Sequence, residues 1–296
     1  MVRRDFLKVL PAAVSAGAAL AAQTPASFRF VHFTDPHIQP ELRAVEGCER
    51  CFSAVNAAKV DFAVSGGDLV FDVLESGPQR AKQLFDLYTK TAKGLSMPVY
   101  NVVGNHDVYG VFANSGVSPS DPMYGKKMFE DRIGKRYQSF DHKGWHFILL
   151  DSIGITPDRR YIGEIDEEQL SWLKSDLESV GPRRPVVVFT HIPLVTGFPQ
   201  FVLAPGASTR NIVVTNSRDV LAVLAKYNVK AVLQGHTHVR ETVLYKGCQF
   251  ITSGSVCGNW WKGERMGHPE GFAVLTVRGE TIEWSYQTYG WKAAAA

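Results

Sequence analysis

Five short apolar runs in this chain stop at residues that bind metals or move protons. Residues 28–33 lead into Asp35 and His37, and residues 62–65 into Asp68. Residues 99–103 lead into Asn105 and His106, residues 186–190 into His191, and residues 231–233 into His236 and His238. Each run is short, apolar and rich in β-branched or aromatic side chains, the signature of a buried strand. In α/β sheets, ligands bind outside the carboxyl ends of the strands. The chain is therefore constrained to a fold that brings five such ends to one place. Residues 146–150 form a sixth run. Between the runs, residues 42–58, 79–91, 166–179 and 217–227 read as helices, with Asp166 and Ser217 placed as N-caps. After Leu233 the pattern turns strand-rich, at 241–245, 250–252, 272–277 and 281–287. Alternation followed by a β-rich tail predicts two sheets with helices outside. Residues 109–125, 196–211 and 255–271 read as long loops, which in compact domains are usually functional.

Composition narrows the partners. The 296 residues carry a formal charge of +3, and 45% are hydrophobic, enough for a packed core. Arg3, Arg4 and Lys8 against Asp5 put a surplus of two before Ser27, so the remainder carries about +1. That balance gives no electrostatic case for duplex nucleic acid or an anionic membrane as main partner. The start, Arg3-Arg4-Asp5-Phe6-Leu7-Lys8, precedes an Ala-rich apolar stretch that is shorter than the ~20 residues a spanning helix needs. Ala19-Leu20-Ala21 offers a small-residue cleavage site. The start resembles the twin-arginine export signal, with Val2 where Ser or Thr is usual. The expected organisation is a leader over residues 1–26, a single domain over 27–292 and an Ala tail over 293–296. Export to the periplasm or medium by the twin-arginine machinery is expected, with no stable membrane insertion of the mature protein. Cys48-x-x-Cys51 falls inside the first expected helix rather than at a helix start after a strand, so it reads as packed thiols on one helix face.

Taken singly, the polar residues are weak signals. Asp35 and His37 share one side of an extended chain, as a merely polar edge would. Asp68 after Gly67 is a common turn, Gly104-Asn105-His106-Asp107 could be another, and a lone His191 is more often structural. Gly235-His236-Thr237-His238 has metal-like spacing. In order, Asp-x-His, Gly-Asp, Gly-Asn-His-Asp, His and Gly-His-x-His resemble the calcineurin-like metallophosphoesterases over nearly the whole chain after the leader. The bacterial members similar to class III cyclic-nucleotide phosphodiesterases match best. Residues 136–140, Trp145-His146-Phe147 leading to Leu150-Asp151-Ser152, and Thr190-His191-Ile192-Pro193 resemble the same group.

The resemblance implies a four-layer α-β-β-α sandwich: two mixed sheets face to face, helices outside, and the metal site at the C-terminal ends of strands. It implies Asp35, His37 and His238 on one metal, Asn105, His191 and His236 on another, and Asp68 shared. A bridging hydroxide would be the nucleophile. Phosphate esters repel an attacking hydroxide, and two cations ~3.5–4 Å apart lower the pKa of water and clamp the ester oxygens. Mixed carboxylate, imidazole and amide donors suit divalent Mn, Fe, Zn or Co. His106 is expected off the metals, since adjacent side chains in extended chain point to opposite sides. The family gives it phosphate stabilisation and protonation of the leaving oxygen. Asp107 is expected to hold its other ring nitrogen, or to cap a turn. Phe71 stands where purple acid phosphatases carry a metal-bound Tyr, and His37 is present where they lack it, which argues against that branch.

The substrate expected is a small phosphoester, most simply a diester. The alternatives are a phosphomonoesterase or nucleotidase on the same site, or a non-catalytic metal-binding interaction module; the intact ligand set argues against the last. Of the remaining residues, His32 is expected packed or paired, and His142 and His146 solvent-facing around a hairpin at Gly144. His268 lies in a loop near Trp260 and Trp261 and could edge the pocket; the Trp pair reads as core or interface, with holding a base or another leaving group as the alternative. Arg159, Arg160 and Arg210 could meet phosphate, with a solvated surface the plainer expectation.

Overall fold

The computed structural model describes residues 27–293. The leader expected over residues 1–26 and the last three alanines lie outside the described residues. In chain order the elements are β1 (Ser27–Phe33), α1 (Ala44–Ala57), β2 (Phe62–Ser65), α2 (Pro78–Ala92), β3 (Val99–Asn101), α3 (Lys127–Arg132), β4 (Gln138–His142) and β5 (Trp145–Leu149). They continue through β6 (Ile153–Ile155), β7 (Tyr161–Gly163), α4 (Glu167–Val180), β8 (Val186–Phe189), α5 (Phe198–Val202) and α6 (Ser217–Leu224). The chain closes with β9 (Val229–Gln234), β10 (Arg240–Tyr245), β11 (Cys248–Ser253), β12 (Gly271–Arg278) and β13 (Thr281–Thr288).

Two mixed sheets result. One runs β13-β12-β1-β2-β3 and the other β10-β11-β9-β8-β5-β4, with β6 and β7 forming a small separate ladder. The parallel neighbours β1-β2-β3 and β5-β8-β9 carry the strand ends singled out in the sequence. Side-chain alternation along each strand sorts residues between two apolar layers. Phe28, Phe30, Phe147, Leu149, Val187, Phe189, Ala231 and Leu233 fill the space between the sheets. Val31, Phe33, Ile148, Val186, Val188 and Val232 face outward into the helix layers. Helix α1 closes over the first sheet with Phe52 against Phe33, ring centroids 5.3 Å apart. Helix α2 follows suit, with the Tyr88 hydroxyl donating to Asn101 Oδ1 of β3 at 2.6 Å. The four-layer sandwich is thus present.

Helix α4 begins as expected: the Asp166 carboxylate accepts from Gln169 N at 2.8 Å, satisfying an otherwise orphan donor. At α6 the expected cap differs. Ser217 is the first helical residue, and Asn216 before it turns its amide to Ile165, donating to the carbonyl at 2.7 Å and accepting from the amide at 3.1 Å. Cys48 and Cys51 lie buried on the inner face of α1, and all four cysteines are free thiols. His146 corrects the sequence reading. It sits on the outward-alternating face of β5 and is buried under α4, between Asp141 (2.7 Å) and Asp176 (2.8 Å). Burial works against its charged form, but those two carboxylates outweigh it and raise its pKa. His142, half-buried, pairs with Asp61 at 3.2 Å. Arg159 is not solvated either: its guanidinium donates to the carbonyls of Gly110, Val111, Phe112 and Val117 and so pins the 109–125 loop. Among the described residues no helix is long and apolar enough to cross a membrane.

Candidate metal centre

Just past the ends of β1, β2 and β9, the backbone leaves ordinary conformational space. Asp35, His37, Asp68, His236 and His238 all have positive φ, between 39° and 71°. For non-glycine residues this left-handed region costs roughly 1–2 kcal/mol each, and such strain persists only where surrounding bonds over-determine it. Those bonds are present. Asp35 N donates to Gly67 O and His37 N to Asp68 O, both at 3.0 Å, and His236 N donates to the Asp35 carboxylate at 3.1 Å. Gly104 must lack a side chain, since a Cβ there would stand 2.1 Å from Asp68 N and 2.2 Å from its Oδ1.

The turns bring Asp35, His37, Asp68, Asn105, His191, His236 and His238 together, all buried except His236, which is partly so. Four histidines share one device. His37, His191 and His238 each set Nδ1 against a backbone carbonyl, of Phe71 (3.1 Å), Gly66 (2.8 Å) and Gly258 (2.6 Å). His236 does so through Nε2, on Asn211 O at 2.7 Å. A carbonyl only accepts, so each of those nitrogens carries the proton, and in the neutral ring the other nitrogen offers a lone pair. The lone pairs converge. His37 Nε2 lies 3.2 Å from His238 Nε2, and His191 Nε2 lies 3.1 Å from Asn105 Oδ1. Asp68 Oδ2 stands between, 3.4 Å from His37 Nε2 and 3.1 Å from His191 Nε2. Asp35 Oδ1 is 3.2 Å from His238 Nε2. Within this set, Asp35, His37 and Asp68, and separately Asp68, His191 and His236, bring donor atoms within 4.8 Å of one another.

Acceptors facing acceptors in a buried site need a positive charge among them. The proton equilibria of these residues agree. Burial alone would raise Asp35, but His238 and His191 outweigh it and bring its pKa down to about 2. Burial would lower His191, yet Asp68 and Asp35 outweigh it and lift it to about 9. Burial holds His37 at about 3 and His236 at about 4, neutral and ready to ligate. The donor set thus fits divalent cations of borderline character.

His106 meets the His37 ring edge-on, centroids 4.8 Å apart. Asn105–Asp107 form a turn of 3₁₀ helix, not an extended strand, so successive side chains are splayed around a helical turn. The backbone N of His106 donates to Asp68 Oδ1 at 2.8 Å, and its ring borders a cleft of about 490 Å³ with Asp72, Phe112, Arg160, Tyr161, Arg210 and Asn211. Asp107 does not hold its ring. The Asp107 carboxylate accepts from Gly104 N at 2.8 Å and Val70 N at 3.1 Å, closing its own turn. The carboxylate facing His106 Nδ1 is Asp72, at 3.7 Å. Nothing in the sequence marked Asp72, and only the fold joins it to a residue 34 positions on. Arg160 and Arg210 do line the cleft, whereas His268 instead bonds Arg240 at 3.3 Å away from it. The tryptophans divide: Trp261 is buried core, and Trp260 sits against the rings of His37 and His238.

Two mixed sheets with buried Asp/His clusters at their strand ends define a metal-site hydrolase architecture. A family model described as calcineurin-like phosphoesterase matches residues 28–240, and the chain belongs to that family. It is a hydrolase of phosphoester bonds. It is 25% identical over 248 residues to the 3',5'-cyclic adenosine monophosphate phosphodiesterase CpdA of Escherichia coli K12, covering 78% of this chain and 77% of the relative. It is 26% identical over 250 residues to the mouse serine/threonine-protein phosphatase CPPED1, covering 83% of this chain and 73% of that one. Among solved structures, a dimetal phosphatase from Danio rerio superposes with a TM-score of 0.58 at 17% identity, covering 89% of this chain and 99% of the other.

Proposed function

We propose that the chain is a phosphodiesterase in which Asp35, His37 and His238 hold one divalent cation. Asn105, His191 and His236 hold a second, and Asp68 serves both. The observation that carries this reading is the convergence of four carbonyl-locked imidazoles on two buried carboxylates, with Asp68 Oδ2 within 3.4 Å of one histidine from each half. Mn, Fe, Zn or Co fits these donors. Such ions supply Lewis-acid charge that acidifies water and offsets the charge of the ester.

The chain's own residues supply the rest. His106 is the proton donor to the leaving oxygen. It borders the open cleft, and its backbone is fastened to Asp68, so it keeps a fixed place relative to the shared carboxylate. Burial works against a charged ring there, but Asp68 and Asp72 outweigh it and raise the His106 pKa above the ordinary value. A ring that holds its proton near neutrality and gives it up in the transition state is what general-acid catalysis requires. The cleft wall of Arg160, Arg210, Tyr161 and Phe112 receives the leaving group. The diester preference is supported by the cyclic-nucleotide phosphodiesterase among the relatives.

The test is hydrolysis of an activated aryl phosphodiester by purified chain loaded with Mn²⁺. Turnover that disappears on chelation and returns on re-addition is expected. No turnover with any of Mn, Fe, Zn or Co would overturn the reading. We also propose export through the twin-arginine route, motivated by Arg3-Arg4 and the short apolar stretch that follows. Replacing both arginines by lysine should strand the precursor in the cytoplasm, and unchanged export would count against that route.

A further inference from the structure

We infer that Trp260 is a positioning residue for the Asp35/His37/His238 half of the centre, holding two imidazole planes in the attitude that receives one of the two cations. The inference rests on the dinuclear reading above.

A single hydrogen bond from Nδ1 sets the tautomer of His37 and of His238, but it leaves each ring free to rock about that bond. A further contact must fix the ring plane. His106 gives the His37 ring one such contact, edge-on at 4.8 Å, and Trp260 gives one to both rings at once. Its centroid lies 4.7 Å from the His238 ring at 42° and 5.9 Å from the His37 ring at 53°. The two imidazoles are themselves 5.1 Å apart at 47°, so the three rings brace one another.

The backbone under this contact is strained. Trp260 has φ 50° and Trp261 φ 68°. Two consecutive bulky residues in the left-handed region persist only where the surroundings compel them. Trp261 is the compelling part. It is 1% exposed, and its indole N–H is shared between Pro36 O and His37 O, each at 3.1 Å. Its ring occupies the space over Gly47, where a Cβ would stand 2.1 Å from it. The loop is thereby fastened to the backbone of His37 itself, and Trp260 is delivered onto the side chain. From its own loop, the Arg265 guanidinium sits over the Trp260 ring at 5.5 Å, a cation–π contact that keeps the indole in place. The other half of the centre is built differently: the His191 and His236 rings pair at 5.2 Å, and His236 meets Tyr161 at 6.3 Å. The influence of Trp260 should therefore fall on one ion and not on its neighbour.

The experiment is a calorimetric titration of Mn²⁺ into metal-free wild type, Trp260→Phe and Trp260→Ala, with thermal melts of each. Wild type should bind two ions. Trp260→Ala should weaken one of them by ~10–100-fold, the range for losing a residue that orients ligands, and leave the other unchanged. Trp260→Phe, which keeps an aromatic face, should restore most of the loss. In a His37→Ala background, where that half is already broken, Trp260→Ala should add nothing. If Trp260→Ala does not fold, Arg265→Ala removes one support of the same ring and should weaken the same ion by a smaller factor. Equal weakening of both ions, or no selective weakening in any of these variants, would overturn the inference. A wild-type chain with fewer than two Mn²⁺ sites would instead overturn the dinuclear reading beneath it.

Discussion

Between the two sheets, Phe30 stacks on Phe62 at 5.1 Å and Phe147 packs edge-on to both, at 5.6 Å and 5.1 Å. A few residues further along the same strands, apolar packing gives way to buried carboxylates, imidazoles and left-handed backbone. In the first region local preference, side-chain alternation and burial agree, and the buried polar side chains of His32 and Ser253 satisfy each other with a hydrogen bond of 2.8 Å. In the second, nearly every local preference is overridden. Consistency makes a core, whereas a site that must gather charge is built against local rules and held by its neighbours. The strands supply the rigidity that lets their own ends remain strained.

If that division is real, substitutions on the two sides should fail in different currencies. His106→Ala should lower kcat by ~10²–10⁴, the range for removing a general acid, while both ions and the melting temperature stay close to wild type. Falling metal content would make His106 a ligand and break the division on the site side. Phe147→Ala should do the reverse. Removing a buried Phe ring costs about 3–5 kcal/mol of stability, read by denaturant unfolding, while the kcat of the folded fraction is kept. A Phe147 variant with intact stability but lost turnover would show that the two regions are not separable in this way.

The sequence disclosed the strand ends because the residue types change abruptly there, from Val and Phe to Asp and His. It also disclosed the two-sheet layout, because the period-2 runs stop and restart with helical stretches between. What it hid depends on contacts between distant segments. Asp107 looked like the partner of His106 because it is adjacent, yet a 3₁₀ turn sends its carboxylate back to Gly104 and Val70. Asp72, which faces His106 instead, shares no local pattern with it. His146 looked exposed beside a hairpin, but the outward face of β5 is covered by α4, and only tertiary packing says so. Trp260 and Trp261 are neighbours in sequence and opposites in role, since left-handed φ at both turns one ring into the core and the other onto the site.

The central claim is that one carboxylate serves both halves of the centre, and the metal content of Asp68→Ala measures it most directly. Wild type should hold two Mn²⁺ per chain after reconstitution and gel filtration, and Asp68→Ala should lose occupancy at both positions together. An Asp68→Ala chain that folds and keeps one ion at full occupancy would contradict a shared Asp68 and require the two halves to be independent sites.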